Sequence, residues 1–144
     1  MTLKQWEEIG WLKPEPTSPK EIANLQAIVG RDLSDAGATI SPDWRFGIAY
    51  NAALKLCTIL LRAEGYRPAH GLQHYRTIQA MPLVLGVGKR TEAAYLDSCR
   101  IKRNTVEYDY VGGASDSDAN ELIAFVEELR LEVLEWLVRE HPEL

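Results

Sequence analysis

The densest group of side chains able to do chemistry lies between Arg100 and Tyr110. On a helix, residues three and four apart share a face, so a helix here would carry a polar ridge. An arginine held by a carboxylate, next to an amide and a phenol, suits a phosphate or a ribose. The alternative is a structural network that fixes a helix–helix or dimer interface, and the spacing alone favours that alternative. The ridge consists of Arg100, Arg103, Asn104, Glu107 and Tyr108.

Arg103 would also lie on the apolar face of the same helix. A charge on such a face must be partly desolvated, and this is tolerated only where hydrogen-bonding partners are present. We therefore expect Arg103 to pair with Glu107 or Asn104 and to face a cleft rather than open solvent. The residues predicted to share its face are Leu96, Cys99, Val106 and Tyr110.

Few other residues could support catalysis or metal binding. His70 and His74 are four residues apart and could share a helix face, as metal ligands do, but no carboxylate or cysteine stands at a suitable spacing beside them. We therefore favour a structural or surface role for both. Cys57 and Cys99 cannot form a CxxC knuckle, and we interpret both as reduced core residues. The sequence also lacks a Gly-rich phosphate loop and a GxSxG elbow, so it predicts no metal and no cofactor.

Length and composition narrow the class of protein. A chain of 144 residues suffices for one domain with a single core. Its 46% hydrophobic and 26% charged residues exclude a disordered, collagen-like or disulfide-scaffold protein. No apolar run approaches the length of a transmembrane helix, and the first ten residues lack the features of a secretory signal. We therefore expect a cytoplasmic protein.

The net charge of −5 is unevenly distributed. Residues 55–103 carry nine basic and three acidic groups, whereas residues 104–144 carry two basic and eleven acidic groups. A basic middle segment could attract phosphate. It could instead pair with the acidic last segment, within the chain or across a dimer, or both segments could be solvated helix faces.

Start and stop signals predict helices and no strand of convincing length. Ser18-Pro19-Lys20-Glu21 is a capping box with proline at the first helical position, and Ser41-Pro42-Asp43 repeats the signal. The predicted helices are residues 19–36, 44–63, a weaker 69–86 that Pro82 kinks or restarts, 91–110 and 118–139.

Long helices joined by short loops predict an all-α, antiparallel up-and-down bundle of four to five helices. We assign this bundle to residues 18–144 and an N-terminal arm with a short helix to residues 1–17. Two tryptophans in the arm suggest that it packs on another element. The predicted core is Ile22, Leu25, Ile48, Leu56, Ile59, Leu96, Leu122, Val126, Leu129 and Val133.

The segment Arg103-Asn104-Thr105-Val106-Glu107-Tyr108-Asp109-Tyr110 resembles the RNxxxHxY signature of the HEPN (higher eukaryotes and prokaryotes nucleotide-binding) superfamily. Residues 45–53 and 63–67 are also similar to the family, and the resemblance covers roughly residues 18–140. It implies a helical bundle that dimerises through the motif helices and forms a composite cleft. Many members are metal-independent RNases, often toxins or phage-defence effectors. Others bind nucleotides or are non-catalytic partners of small nucleotidyltransferases.

The chain departs from the signature at Tyr108, which stands where the family has histidine. A phenol with a pKa near 10 is a poor general base at neutral pH, although it can donate a hydrogen bond or stack on a base. We therefore expect a homodimeric, non-catalytic nucleotide- or RNA-binding module, and the resemblance implies a toxin–antitoxin or defence-type system as its setting. The alternatives are a metal-independent RNase in which His70 or His74 supplies the base, and a structural partner of a nucleotidyltransferase. The expected ligand-binding residues are Arg100, Arg103, Asn104, Glu107, Tyr108 and Tyr110.

Overall fold

The computed structural model describes residues 1–144 and is all-α apart from one short strand pair. The four long helices correspond to the four strongest sequence predictions. The elements are α1 (Leu3–Glu8), β1 (Leu12–Pro14), α2 (Pro19–Ala36), α3 (Pro42–Ala63), β2 (Tyr66–Pro68), α4 (Gln73–Gln79), α5 (Met81–Leu85), a 3-10 turn (Val87–Lys89), α6 (Arg90–Tyr108) and α7 (Asp116–Glu140).

Serine caps determine where three of the long helices begin. The hydroxyl of Ser18 accepts a hydrogen bond from the backbone N–H of Glu21 at 3.1 Å, and Ser41 accepts one from Trp44 at 3.4 Å. Ser115 and Asp118 form a reciprocal capping box at the start of α7. These bonds satisfy backbone donors that have no partner within the helix. The predicted bounds of α2 are thereby confirmed.

Helix α3 is the centre of the protein, because α2, α6 and α7 all pack against it. Eight of the ten predicted core residues are buried, whereas Leu25 and Ile48 are partly buried and pack against the core from its edge. One ion pair fixes the start of α7: Lys102 Nζ lies 2.7 Å from Asp118 Oδ2. The hydrogen bond from Lys102 lowers the pKa of Asp118 to about 2. These contacts position α6 relative to α3 and α7.

The weak segment between α3 and α6 forms two short helices rather than one. Proline at the second position of α5 begins a new helix, as the restart at Pro82 predicts. The first helix, α4, follows Leu72, whose φ of 50° is the only positive value at a non-glycine residue. A side chain in the left-handed region is unfavourable, so the turn before α4 is strained.

The N-terminal arm packs on the bundle through its apolar side chains. Trp6 and Leu12 form a small buried cluster with Leu61 and Ala80. Strand β1 pairs antiparallel with β2, which the sequence analysis did not predict because each strand has only three residues. The guanidinium of Arg76 lies 3.7 Å above the ring of Trp11. The arm is thus held by packing, backbone pairing and a cation–π contact.

Helix α3 is also the one helix long and apolar enough to span a membrane. Its most apolar window is 67% buried inside the protein. Core helices of folded domains have the same length and composition.

Candidate functional site

The predicted polar ridge on α6 does not form one cleft, because its two arginines face different neighbours. Arg100 donates a hydrogen bond to Asp97 at 2.8 Å, and its guanidinium lies 5.7 Å from the ring centre of Tyr75. Arg103 lies one turn further on and forms an ion pair with Glu107, with Nε 3.0 Å from Oε2. Arg100 is therefore oriented toward the first turn of α4 and the turn before it, and Arg103 toward the first half of α3.

Arg103 behaves as its position on the apolar face predicts. It pairs with Glu107 and also donates to Asn104 Oδ1 at 3.3 Å. It lines a cleft of about 220 Å³. Asn51, on the opposite wall, donates to Asp32 at 2.6 Å. The cleft contains two carboxylates beside one guanidinium, so its lining carries one more negative than positive charge. Its lining is Asp32, Trp44, Gly47, Ile48, Asn51, Arg103 and Glu107.

The remaining ridge residues lie at the surface. Asn104 is exposed, and Tyr108 and Tyr110 are 74% and 57% exposed. Helix α6 ends at Tyr108, so the expectation of a helix to about Tyr110 is wrong by two residues. Tyr110 does not share the buried face of α6, because it belongs to the following loop.

That loop is held by a single carboxylate at the start of α3. Asp43 accepts hydrogen bonds from the backbone N–H groups of Gly112 at 2.7 Å and Ala114 at 3.0 Å. Trp44 and Val111 line one small groove where this loop meets the start of α3. Both are exposed, as are Ile40, Tyr108 and Tyr110, which neighbour them along the chain, and we call these five side chains the aromatic patch.

The two histidines of the middle segment do not share a helix. His70 lies in the turn before α4, whereas His74 lies in the first turn of α4. The expectation that both could stand on one helix face is therefore wrong. No group of three or more histidine, cysteine or acidic side chains is arranged to hold a metal ion.

His74 lies close to the arginines of α6. Its ring centre is 6.4 Å from that of Tyr50, and the guanidinium of Arg103 lies 5.8 Å from the same Tyr50 ring. Partial burial, followed by the charges of Arg103, Lys55 and Arg100, lowers the pKa of His74. His74 is therefore a neutral ring at pH 7, and no hydrogen bond joins it to either arginine.

Tyr50 lies beneath this cluster and was not predicted to have any role. Its side chain is 1% exposed, and its hydroxyl has no hydrogen-bond partner. Burial raises the pKa of Tyr50 far above its ordinary value, so the phenol keeps its proton. A buried hydroxyl without a partner is uncommon in folded proteins.

Basic side chains line a pair of adjoining grooves, which we call the basic groove. The part between α3, β2 and α4 has a volume of about 240 Å³, and the part between the turn before α4 and α6 has about 380 Å³. Gln73 and His74 line both parts. None of the lining residues is acidic. The lining comprises Leu54, Lys55, Thr58, Leu61, Arg62, Arg67, Pro68, His70, Gly71, Leu72, Gln73, His74, Tyr75, Thr77 and Arg100.

Carboxylates outside the basic groove partly neutralise it. Arg62 pairs with Glu21 at 3.0 Å and with Glu15 at 3.6 Å, and Arg67 pairs with Glu15 at 3.2 Å. Lys55 takes part in none of the ion pairs. The sequence did not predict that these residues form one site. The excess of positive charge in residues 55–103 was the one signal that indicated a basic surface.

The cysteines are core residues, as predicted. Both are buried, and burial raises the pKa of Cys57 to about 12 and that of Cys99 to about 11. Both thiols are therefore protonated at neutral pH and poorly nucleophilic.

Comparison of the chain with protein-family models, curated protein sequences and solved structures finds no significant match. The resemblance of residues 103–110 to the HEPN signature accordingly stays a prediction.

Proposed function

We propose that this protein binds a nucleotide or RNA through the phosphates, in the basic groove, without cutting it. The observation that supports this proposal is the lining of the groove, which holds four cationic side chains and two histidines but no carboxylate. The whole chain has a net charge of −5, so such a lining is not a consequence of composition. Guanidinium and ammonium groups are the usual partners of phosphate.

The side chains around the cations suit the rest of a nucleotide. Tyr75 is 36% exposed and lies against Arg100. Aromatic rings and arginine planes are surfaces on which bases stack. Thr58 and Gln73 line the groove and supply hydrogen-bonding groups for a sugar or a base edge. Phosphate, base and sugar would thus each meet a suitable side chain.

The non-catalytic part of the proposal follows from Tyr108. This residue takes the place of the HEPN histidine and is 74% exposed, and a phenol is a poor general base at neutral pH. By the same resemblance, the biological setting that we propose is a toxin–antitoxin or defence-type system.

Fluorescence anisotropy with a 5′-labelled single-stranded RNA and with a labelled ATP tests the proposal. The Arg100→Gln variant should bind about 10- to 100-fold more weakly than the wild type, the range for one charge-assisted hydrogen bond. Arg90→Gln is the matched control, because Arg90 is exposed on the same helix outside the groove. If neither probe binds at low salt, or if both variants lose affinity equally, the proposal is wrong.

We also propose that two copies associate through the aromatic patch. Exposed apolar side chains that lie together mark interaction sites more often than isolated ones do. Trp44 is 59% exposed and Val111 93% exposed, and both line a small groove beside Glu107. The patch adjoins the Arg103 cleft through Trp44, in keeping with the composite cleft that the HEPN resemblance implies.

Sedimentation of the wild type should therefore give a dimer at micromolar concentration. A Trp44→Ser/Val111→Ser variant should be monomeric, whereas Ile9→Ser, which also removes an exposed apolar side chain, should remain dimeric. A wild-type monomer at high micromolar concentration would contradict the dimer proposal and leave the groove proposal untouched.

The second candidate is a metal-independent RNase with His74 as the base. It is favoured by the neutral His74 ring near Arg103 and Arg100. Such an enzyme would use the ribose 2′-hydroxyl as its nucleophile and would cleave RNA but not the same strand with 2′-deoxyribose. If the wild type cleaves RNA in EDTA and His74→Gln does not, the RNase is the correct function. If RNA stays intact with the wild type, Tyr108→His tests whether restoring the HEPN signature introduces cleavage.

A further inference from the structure

Helix α7 carries two apolar seams, and only one of them is used inside the protein. The inner seam packs in the core and includes Leu122, Val126, Leu129 and Val133. The second follows the spacing of three and four residues on the other side of the helix. Repeats of this kind are the contact seams of paired helices. The outer seam consists of Ala124, Leu131, Leu134 and Val138, with Glu127 at the one polar position of the repeat.

The outer seam is open to solvent. Leu131 is 66% exposed and Val138 72% exposed, Ala124 is exposed, and Leu134 is half-buried. Single exposed apolar residues are common on protein surfaces. Here, however, Ala124, Leu131 and Val138 are seven positions apart, and Leu134 lies between two of them. Together they form a stripe along about four turns of α7 that only Glu127 interrupts.

A groove runs beside this stripe. Helices α2 and α7 both pack on α3 but make little contact with each other, and the space between them is about 430 Å³. Leu131 and Glu127 form one wall, and Leu33 of α2 lies on the other. Gly30 borders the groove, where a Cβ atom would come within 3.3 Å of the Arg130 guanidinium. The groove and the stripe together offer a surface for one helix, with Leu33 and Leu131 as apolar contacts and Ser34, Glu127 and Arg130 as polar ones.

Charge determines which helix would fit. Glu127, Glu128 and Glu135 have no cation within ion-pairing distance, whereas Glu132 and Glu140 of the same helix pair with Lys89 and Arg139. Glu128 and Glu135 flank the stripe at the positions that select partners in coiled coils. Arg130 is the one cation that lines the groove, and it too has no carboxylate partner. The surface is thus apolar along its centre and predominantly acidic at its edge.

A second copy of α7 would be a poor occupant of this surface. In an antiparallel pair centred near Leu131, Glu128 of one copy would face Glu135 of the other, and in a parallel pair only Glu135 of the two would meet a cation, Arg130 of the other copy. Like charges across such an interface disfavour pairing. A helix with apolar residues at the same spacing and lysine or arginine at its edges would meet no such repulsion.

We propose that the outer seam of α7 is a docking site for a basic amphipathic helix of a partner protein. This site is separate from the basic groove, and neither proposal depends on the other. Helices that lie in a groove with apolar anchors every third or fourth residue are a common mode of recognition.

The test uses two labelled helical peptides of about 21 residues, three heptads of a coiled coil. Both carry leucine at the seam positions, and one has lysine and the other glutamate at the edges. By fluorescence anisotropy the wild type should bind the lysine peptide at least about tenfold more tightly than the glutamate peptide. A Leu131→Ser/Val138→Ser variant should lose that binding, whereas Ile101→Ser should keep it.

Charge reversal separates docking at the seam from general attraction to an acidic protein. Glu128→Lys/Glu135→Lys should reverse the preference to the glutamate peptide. Glu8→Lys/Glu143→Lys changes the net charge equally at exposed sites elsewhere and should not reverse it. Failure of the lysine peptide to bind, or an equal effect of the two charge reversals, overturns the proposal. A dimeric wild type that Leu131→Ser/Val138→Ser makes monomeric overturns it too, because the seam would then join two copies of this chain.

Discussion

Replacing Lys55 by alanine is the most direct test of the basic groove. Lys55 is the one lysine or arginine of the groove without a carboxylate partner, so its full charge is available to a ligand. Each of Arg62, Arg67 and Arg100 must share its charge with an acidic neighbour. Removing the Lys55 side chain should therefore cause a large loss of ligand affinity for a single side chain.

Two magnitudes follow for Lys55→Ala. One charge-assisted hydrogen bond to phosphate is worth about 1.5–3 kcal/mol, so the affinity for single-stranded RNA should fall by about 10- to 100-fold. The slope of log K against log salt concentration should become shallower by about 0.7, the value for one phosphate contact on a single strand. Because Lys55 takes part in no ion pair of the folded protein, the substitution removes no such contact, and the free energy of unfolding should change by less than about 0.5 kcal/mol.

The assay is fluorescence anisotropy of the labelled RNA over a series of salt concentrations. Lys20→Ala is the control, since Lys20 is exposed at the start of α2 and does not line the groove. An unchanged salt slope for Lys55→Ala, together with an unchanged affinity, would refute the reasoning. An equal change for Lys20→Ala would show that binding follows net charge rather than the groove.

Three further predictions concern pH, the loop after α6 and the core. Burial and nearby cations lower the pKa of His74. A phosphate bound in the groove would bring negative charge close to the ring, and it should therefore favour protonation of His74. RNA affinity should then rise as the pH falls below the unperturbed value of about 6.5 in the wild type but not in His74→Gln. Without ligand, the free energy of unfolding should fall as the pH decreases below about 6.5, because His74 binds its proton more tightly in the unfolded chain than in the folded protein. Asp43→Ala removes the acceptor for Gly112 and Ala114, and urea denaturation should show a loss of about 2–3 kcal/mol. Leu96→Ala empties a fully buried position and should cost about 2–5 kcal/mol in the same measurement, against less than about 0.5 kcal/mol for Ile101→Ala at the surface.

Local signals in the sequence predict the helices well. The serine before Pro19 and the glycine after Ala36 delimit α2, and the restart near Pro82 divides the weak segment, because caps and prolines act within a few residues. The inward stripe of each long helix likewise predicts the core, since helical periodicity alone determines which residues share a face. The strands were missed because each has only three residues and because their pairing joins segments that α2 and α3 separate along the chain.

The candidate site was less predictable because it joins different elements. Periodicity correctly places Arg103 next to Glu107, but it does not say that Arg100, three residues earlier, lies against Tyr75. The basic groove combines Lys55 of α3 with Arg67 of β2 and residues of α4, and no spacing along the chain links them. Only the excess of positive charge in the middle segment indicated that such a surface exists.

The way the arm is attached has a consequence for the order of folding. Tyr66 donates a hydrogen bond to Glu7 across 59 positions of sequence, and Arg67 reaches Glu15 across 52. During synthesis the arm therefore leaves the ribosome long before its docking surface exists, and it has no helix of useful length to hold it meanwhile. Closing so long a loop is entropically costly until α3 has formed. We expect the arm to join the protein last and, in hydrogen exchange, to be the first part to open.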